Sequence, residues 1–221
     1  MKRAVFLRFG ALLTTALLVA CSNTPPPPDW QMNAKGSLER SLEGYLTGNK
    51  RVEALEFERA RAEVARTGRP DLVARAELMR CASRVASLVL EPCAGFEALR
   101  ADAAAPERAY ADYLSGRLRP QDVALLPPQH RAVASRVSGG GGTLPDIADP
   151  LARLVAAGVL LQAGQASPAV VAQAVETASA QGWRRPLLAW LGVQARLAEQ
   201  GGDADEAARI RRRIQLVQGS P

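Results

Sequence analysis

One histidine, three cysteines and 5% aromatic residues are all that this 221-residue chain contains of the residue types that most often carry chemistry. Each scarcity removes a class of function. With His130 as the only imidazole, a Ser-His or Cys-His arrangement has one possible base. Cys81 and Cys93 together with that one distant histidine do not supply the four ligands of a structural zinc site, and the sequence implies no metal or other cofactor. Runs that alternate β-branched and polar residues are missing, which argues against a sheet protein. A clustered basic stripe is missing as well. Arginine, glutamate and aspartate are interspersed as on solvated helix faces, so no nucleic-acid partner is expected.

What is present begins at the N-terminus. Lys2, Arg3 and Arg8 precede an apolar stretch over residues 11–20, interrupted only by Thr14 and Thr15, which runs into Leu18-Val19-Ala20-Cys21. A charged start, a short apolar run and small residues before a cleavage point make a secretory signal. The run is too short to span a bilayer, which takes about 20 residues. The four residues ending in Cys21 resemble the lipobox of bacterial lipoproteins. That resemblance implies a diacylglycerol thioether on Cys21, removal of residues 1–20 and acylation of the new amino end. Cys21 is then the lipid-attachment residue and the link to a membrane. Ser22 follows it, where an aspartate marks inner-membrane retention in many Gram-negative relatives. The implied location is the outer membrane, with the protein facing the periplasm.

Loss of Lys2, Arg3 and Arg8 reduces the formal charge from +6 to +3, with 25 basic side chains against 22 acidic ones. Residues 21–32 include four prolines at 25–28 and read as a polyproline tether, rising about 3.1 Å per residue and reaching only about 30 Å.

The mature chain reads as all-α, an irregular array of antiparallel helical hairpins. Leu38, Leu42, Tyr45 and Leu46 make one apolar face, and Ala54, Phe57, Ala60 and Val64 the next. A third helix is expected from Asp71 to about Leu90, with Ala74, Leu78, Cys81, Val85 and Leu88 as its stripe. Shorter helices follow around Phe96 and Tyr113, and another opens at Pro127 and Pro128. Residues 33–137 form an N-terminal block, and residues 138–149, with glycines at 139–142, read as a linker. A phosphate-binding loop would need a lysine after those glycines, and none is there. Residues 150–221 form a block of four amphipathic helices expected to fold alone. Within it Trp190, Leu191, Gly192, Ala195, Gly202, Glu206 and Ala207 resemble one tetratricopeptide unit, and Leu38, Tyr45, Gly48 and Ala60 carry a fainter likeness in residues 34–66.

An oxidising compartment favours a bond between Cys81 and Cys93, whereas the place of Cys81 on an apolar stripe fits a free, packed thiol. His130 reads as an exposed residue at a helix start. Glu56/Glu63 and Asp203/Glu206 read as solvated ion-pair carboxylates, and Arg211 to Arg213 as partners of a helix C-terminal dipole. Trp190 is expected in the core, with Trp30 and Trp183 partly exposed. No catalytic set emerges. The expected role is a non-enzymatic, membrane-anchored module that binds or assembles another envelope protein. The alternative is an enzyme of cell-wall metabolism, or its cofactor protein, with a site built from scattered Glu, Arg and Tyr residues.

Overall fold

The structure, a computed structural model, describes residues 26–139 and 144–219. Among them are ten α-helices, one 3-10 turn and no strand. In chain order these are α1 (Asp29–Thr47), α2 (Lys50–Ala65), α3 (Pro70–Ala86), α4 (Ala94–Glu97) and α5 (Ala105–Leu114), then the 3-10 turn (Pro120–Leu125). After it come α6 (Pro128–Gly139), α7 (Pro150–Gln162), α8 (Pro168–Ala180), α9 (Arg184–Gln200) and α10 (Ala204–Gly219). None of the described helices is long and apolar enough to cross a membrane.

Local chemistry sets many of these boundaries. The side chains of Asn49, Asp149 and Ser167 accept backbone N–H bonds from Val52, Ala152 and Val170 at 3.1, 2.6 and 3.3 Å, each satisfying a donor that the helix start leaves unpaired. Proline fills the first helical position of α7 and α8, where its missing N–H costs nothing. At the far ends Gly182 and Gly202 adopt φ of 66° and 74°. The next N–H then returns to the carbonyl five residues back, Trp183 to Ala178 at 3.0 Å and Asp203 to Ala198 at 2.9 Å. That is the Schellman closure, and it reverses the chain for the following helix.

The helix α3 is central and packs on α1, α2, α5 and α7. Two glycines allow close crossings. A Cβ at Gly44 would lie 2.8 Å from the Glu53 nitrogen in the α1–α2 hairpin, and one at Gly158 would lie 2.6 Å from the Val85 carbonyl between α7 and α3. From α7 onward each helix packs on the next.

One core runs through both expected blocks. It joins Leu78 and Val85 of α3, Tyr113 and Leu114 of α5 and Val133 of α6 to Leu154, Leu160, Val171, Trp190 and Ile210 of the last four helices. The separation into two independently packed blocks is therefore corrected. On α7 all seven residues from 154 to 160 are buried, and a helix apolar on every side needs partners on every side. Among the C-terminal helices α8 covers part of it, and α3, α5 and α6 cover the rest.

Three boundaries also differ from expectation. Helix α1 begins at Asp29, whose carboxylate suits the positive end of a helix, so Trp30, Gln31 and Met32 are helical and the tether shortens. Helix α3 stops at Ala86, because Leu88 turns into the left-handed region at φ 59°. In the expected linker, residues 140–143 lie outside the described ones, but Ile147 is buried and its carbonyl accepts Arg153 Nε and Nη2 at 2.9 and 2.6 Å. That end of the segment is part of the fold.

Candidate functional site

The early end of α3 creates the most distinctive concavity. Leu88 is the only non-glycine residue with positive φ among the described residues, a conformation that costs an L-residue about 1–2 kcal/mol. The N–H of Val89 returns to the Arg84 carbonyl at 2.9 Å, and the chain leaves α3 as a rim through Val89, Glu91 and Pro92. Cys93 closes this rim onto α3 through a disulfide with Cys81, their Cα atoms 5.9 Å apart. The shortened helix makes that bond possible, since a helix continued to Leu90 would have carried the chain about 13.5 Å beyond Cys81 before it could turn back. In the chain-entropy account such a loop contributes roughly 3 kcal/mol.

Two chambers meet under the rim. The first, of about 330 Å³, is lined by Tyr45, Lys50, Glu53, Arg80, Arg84, Val89, Glu91 and Arg185. The second, of about 230 Å³, lies over the disulfide between Glu77, Val85, Gly95, Leu114 and Arg117. Arg80, Arg84 and Glu91 line both, so the two adjoin along α3 and are treated together as one groove.

The residue at the head of the groove is Tyr45, 4% exposed. The Arg185 and Arg84 guanidinium carbons lie 4.3 and 5.2 Å from its ring centroid, within cation–π range. Burial pushes its phenol above the usual value, against the opposing pull of Arg185 and Arg84. The ring is therefore a neutral platform at physiological pH. Arg185 Nε donates to the Tyr45 carbonyl at 2.7 Å, which ties α9 to the end of α1.

Beside it Glu53 is buried and accepts Arg84 Nη2 and Nη1 at 3.3 and 3.4 Å, with Arg80 Nε 3.8 Å away. Arg80 also stacks on Phe57 at 4.5 Å. Glu77, at the other end, is buried and accepts Arg61 Nε at 3.2 Å. Removing the guanidinium partner of a buried carboxylate leaves an uncompensated charge. These glutamates fix the arginines in place.

The other residues singled out from sequence lie elsewhere. Cys21 is outside the described residues. Contrary to expectation His130 is 2% exposed. It packs on Tyr110 and Tyr113 with ring centroids 5.5 and 5.1 Å away, and lines a separate cavity of about 180 Å³ with Met79, Asp149 and Val155. The proline pair turns the start of α6 inward, which the local sequence does not reveal. Glu56 is likewise buried rather than solvated, held by Arg40 Nε at 2.9 Å and Arg59 Nη1 at 2.6 Å. Its carboxyl is held below the usual range chiefly by the Arg40 hydrogen bond. Glu63 pairs separately with Arg66 at 2.9 Å. Asp203 caps α10 through the Glu206 N–H at 2.9 Å, and Glu206 contacts Arg209. Arg211 contacts Glu199 on α9 rather than its own helix end. Trp190 is fully buried, while Trp30 and Trp183 are half-buried.

Sequence reasoning missed the groove because its residues come from six helices, α1 to α5 and α9. The one local trace was the spacing of Glu77, Arg80 and Arg84 beside the apolar stripe of α3. No family model, curated protein or solved structure matches the chain, so the site rests on its own geometry.

Proposed function

We propose that this protein is a lipid-anchored periplasmic lipoprotein of the outer membrane that acts as a non-enzymatic binding and assembly module for another envelope protein. The observation that carries the reading is the Tyr45 groove, open and lined by fixed arginines, with a buried aromatic platform and apolar walls. Tyrosine and arginine are the residues that most often anchor protein interfaces. The groove's buried carboxylates, Glu53 and Glu77, are each engaged by arginine, and the one histidine lines a different cavity. Both features favour holding a ligand over acid–base chemistry.

The anchor rests on the lipobox resemblance at Cys21. Seven residues from Ser22 to Pro28 can reach at most about 25 Å, so the groove would work close to the membrane surface.

Two measurements test the reading. Metabolic labelling with a fatty-acid analogue should mark the native protein and miss Cys21→Ser. A photo-crosslinking amino acid at Val89 on the groove rim should give a discrete adduct in intact cells, whereas the same group at Arg196, exposed on α9, should not. Equal labelling of both proteins would remove the anchor, and matching adduct patterns at the two positions would remove the assembly role.

A further inference from the structure

The groove's charge and shape define what it takes. Its head chamber is lined by four cations, Lys50, Arg80, Arg84 and Arg185, and by two carboxylates, Glu53 and Glu91. Glu53 is already shared between Arg84 and Arg80. Arg185 spends Nε on the Tyr45 carbonyl, and among the described residues neither it nor Lys50 forms an ion pair with a carboxylate. Two positive charges are thus left at the mouth of one chamber. The second chamber is lined by Glu77, Glu91 and Glu97 as well as by Arg80, Arg84 and Arg117. Glu77 and Glu97 are engaged by Arg61 and Arg100. Arg117 is exposed, acts on Glu97 only through space and forms no ion pair among the described residues. The floor is apolar through Val85, Ala111 and Leu114.

The groove is long rather than round. It follows α3 from Glu77 to Arg84, about 10 Å at 1.5 Å per helical residue. That length matches about three residues of extended chain at roughly 3.3 Å each. A lone phosphate would engage only the head chamber and leave the apolar floor of the second uncovered.

We infer that the groove binds an extended acidic segment of a protein partner, about three residues long. Its carboxylates meet Arg185 and Lys50 at the head and Arg117 at the foot, and its backbone lies over the disulfide. Guanidinium forks suit planar carboxylates, and the left-handed turn at Leu88 with the Cys81–Cys93 bond keeps the rim open before the partner arrives. This inference rests on the assembly reading and names the partner's chemistry.

The test uses full-length protein in detergent and a fluorescein-labelled hexaglutamate peptide, followed by fluorescence polarisation. Saturable binding is expected, weakening as salt screens the charges. Lys50→Glu and Arg185→Gln should each weaken it about tenfold, the usual effect of losing one charge-assisted contact. Arg196→Glu on the far part of α9 should leave it within about twofold, a change too small to reflect a lost contact. Lys50 is exposed and without an ion pair, so its variant keeps the fold even if Arg185→Gln does not.

Equal loss in Lys50→Glu and Arg196→Glu would overturn the inference in favour of diffuse attraction. So would displacement of the peptide by inorganic phosphate at equal concentration, or preferential binding to vesicles containing a phosphomonoester lipid. A rim adduct in cells without peptide binding would overturn this inference alone. Absence of any groove-specific adduct would overturn the assembly reading beneath it.

Discussion

The indole N–H of Trp190 on α9 donates to the carbonyl oxygen of Ala86 at 3.0 Å, joining residues 104 positions apart. Ala86 is the last residue of α3, and its carbonyl has no partner within its own helix. Removal of the donor leaves a buried acceptor unpaired, which costs about 1–3 kcal/mol. Trp190→Phe should therefore lower stability by that amount, and Trp190→Ala by about 3–5 kcal/mol because a cavity is added. Urea unfolding of both variants checks the order and size of the losses.

His130 predicts a pH dependence. Burial lowers its pKa to about 4, while Asp149 pulls in the opposite direction. The unfolded imidazole titrates near 6.5, so the folded state binds its proton less readily than the unfolded state. The resulting stability is fully present above about pH 6.5 and is lost as pH falls toward 4, by up to roughly 3 kcal/mol. Urea midpoints measured from pH 7 to 4 should fall more steeply for the native protein than for His130→Leu. Parallel curves would assign acid sensitivity to other groups.

Leu88 offers a comparison that reverses the usual ranking. At φ 59° glycine carries no steric penalty, whereas any Cβ costs about 1 kcal/mol. Leu88→Gly and Leu88→Ala lose nearly the same packing against the core. The glycine variant should therefore be the more stable of the two by about 1 kcal/mol, measured by thermal or chemical unfolding. An alanine variant that is equally or more stable would show that the rim does not hold this backbone in solution.

A fragment spanning residues 149–221 should fail to melt cooperatively, because its α7 face loses α3 and its Trp190 loses Ala86. At about 70 residues a four-helix unit is already near the limit of a self-sufficient core. Circular dichroism should show partial helix without a sharp transition, and a hydrophobic dye should bind the exposed face. A cooperative melt like that of the whole chain would restore the C-terminal helices as a separate unit.

The helices themselves were legible. Apolar spacing of three and four placed nearly every element, and Ser167-Pro168, Asp203 and Gly201-Gly202 marked starts and stops, because capping and periodicity act within a few residues. The all-helical class and the burial of Trp190 followed from the same local rules. What no local rule could supply was the pairing of distant surfaces. Whether His130 and Glu56 faced water depended on helices that close over them from elsewhere in the chain, and the unity of the core depended on α7 being apolar all round. The groove is the clearest case. Tyr45, Glu53, Arg84 and Arg185 are ordinary helix residues in sequence, and they become a site only where α1, α2, α3 and α9 converge. The sequence determined the helices and the charge, since those depend on neighbours along the chain. Tertiary structure alone decided the disulfide geometry, the buried histidine and the arginine-lined groove, since burial and electrostatic pairing depend on neighbours in space.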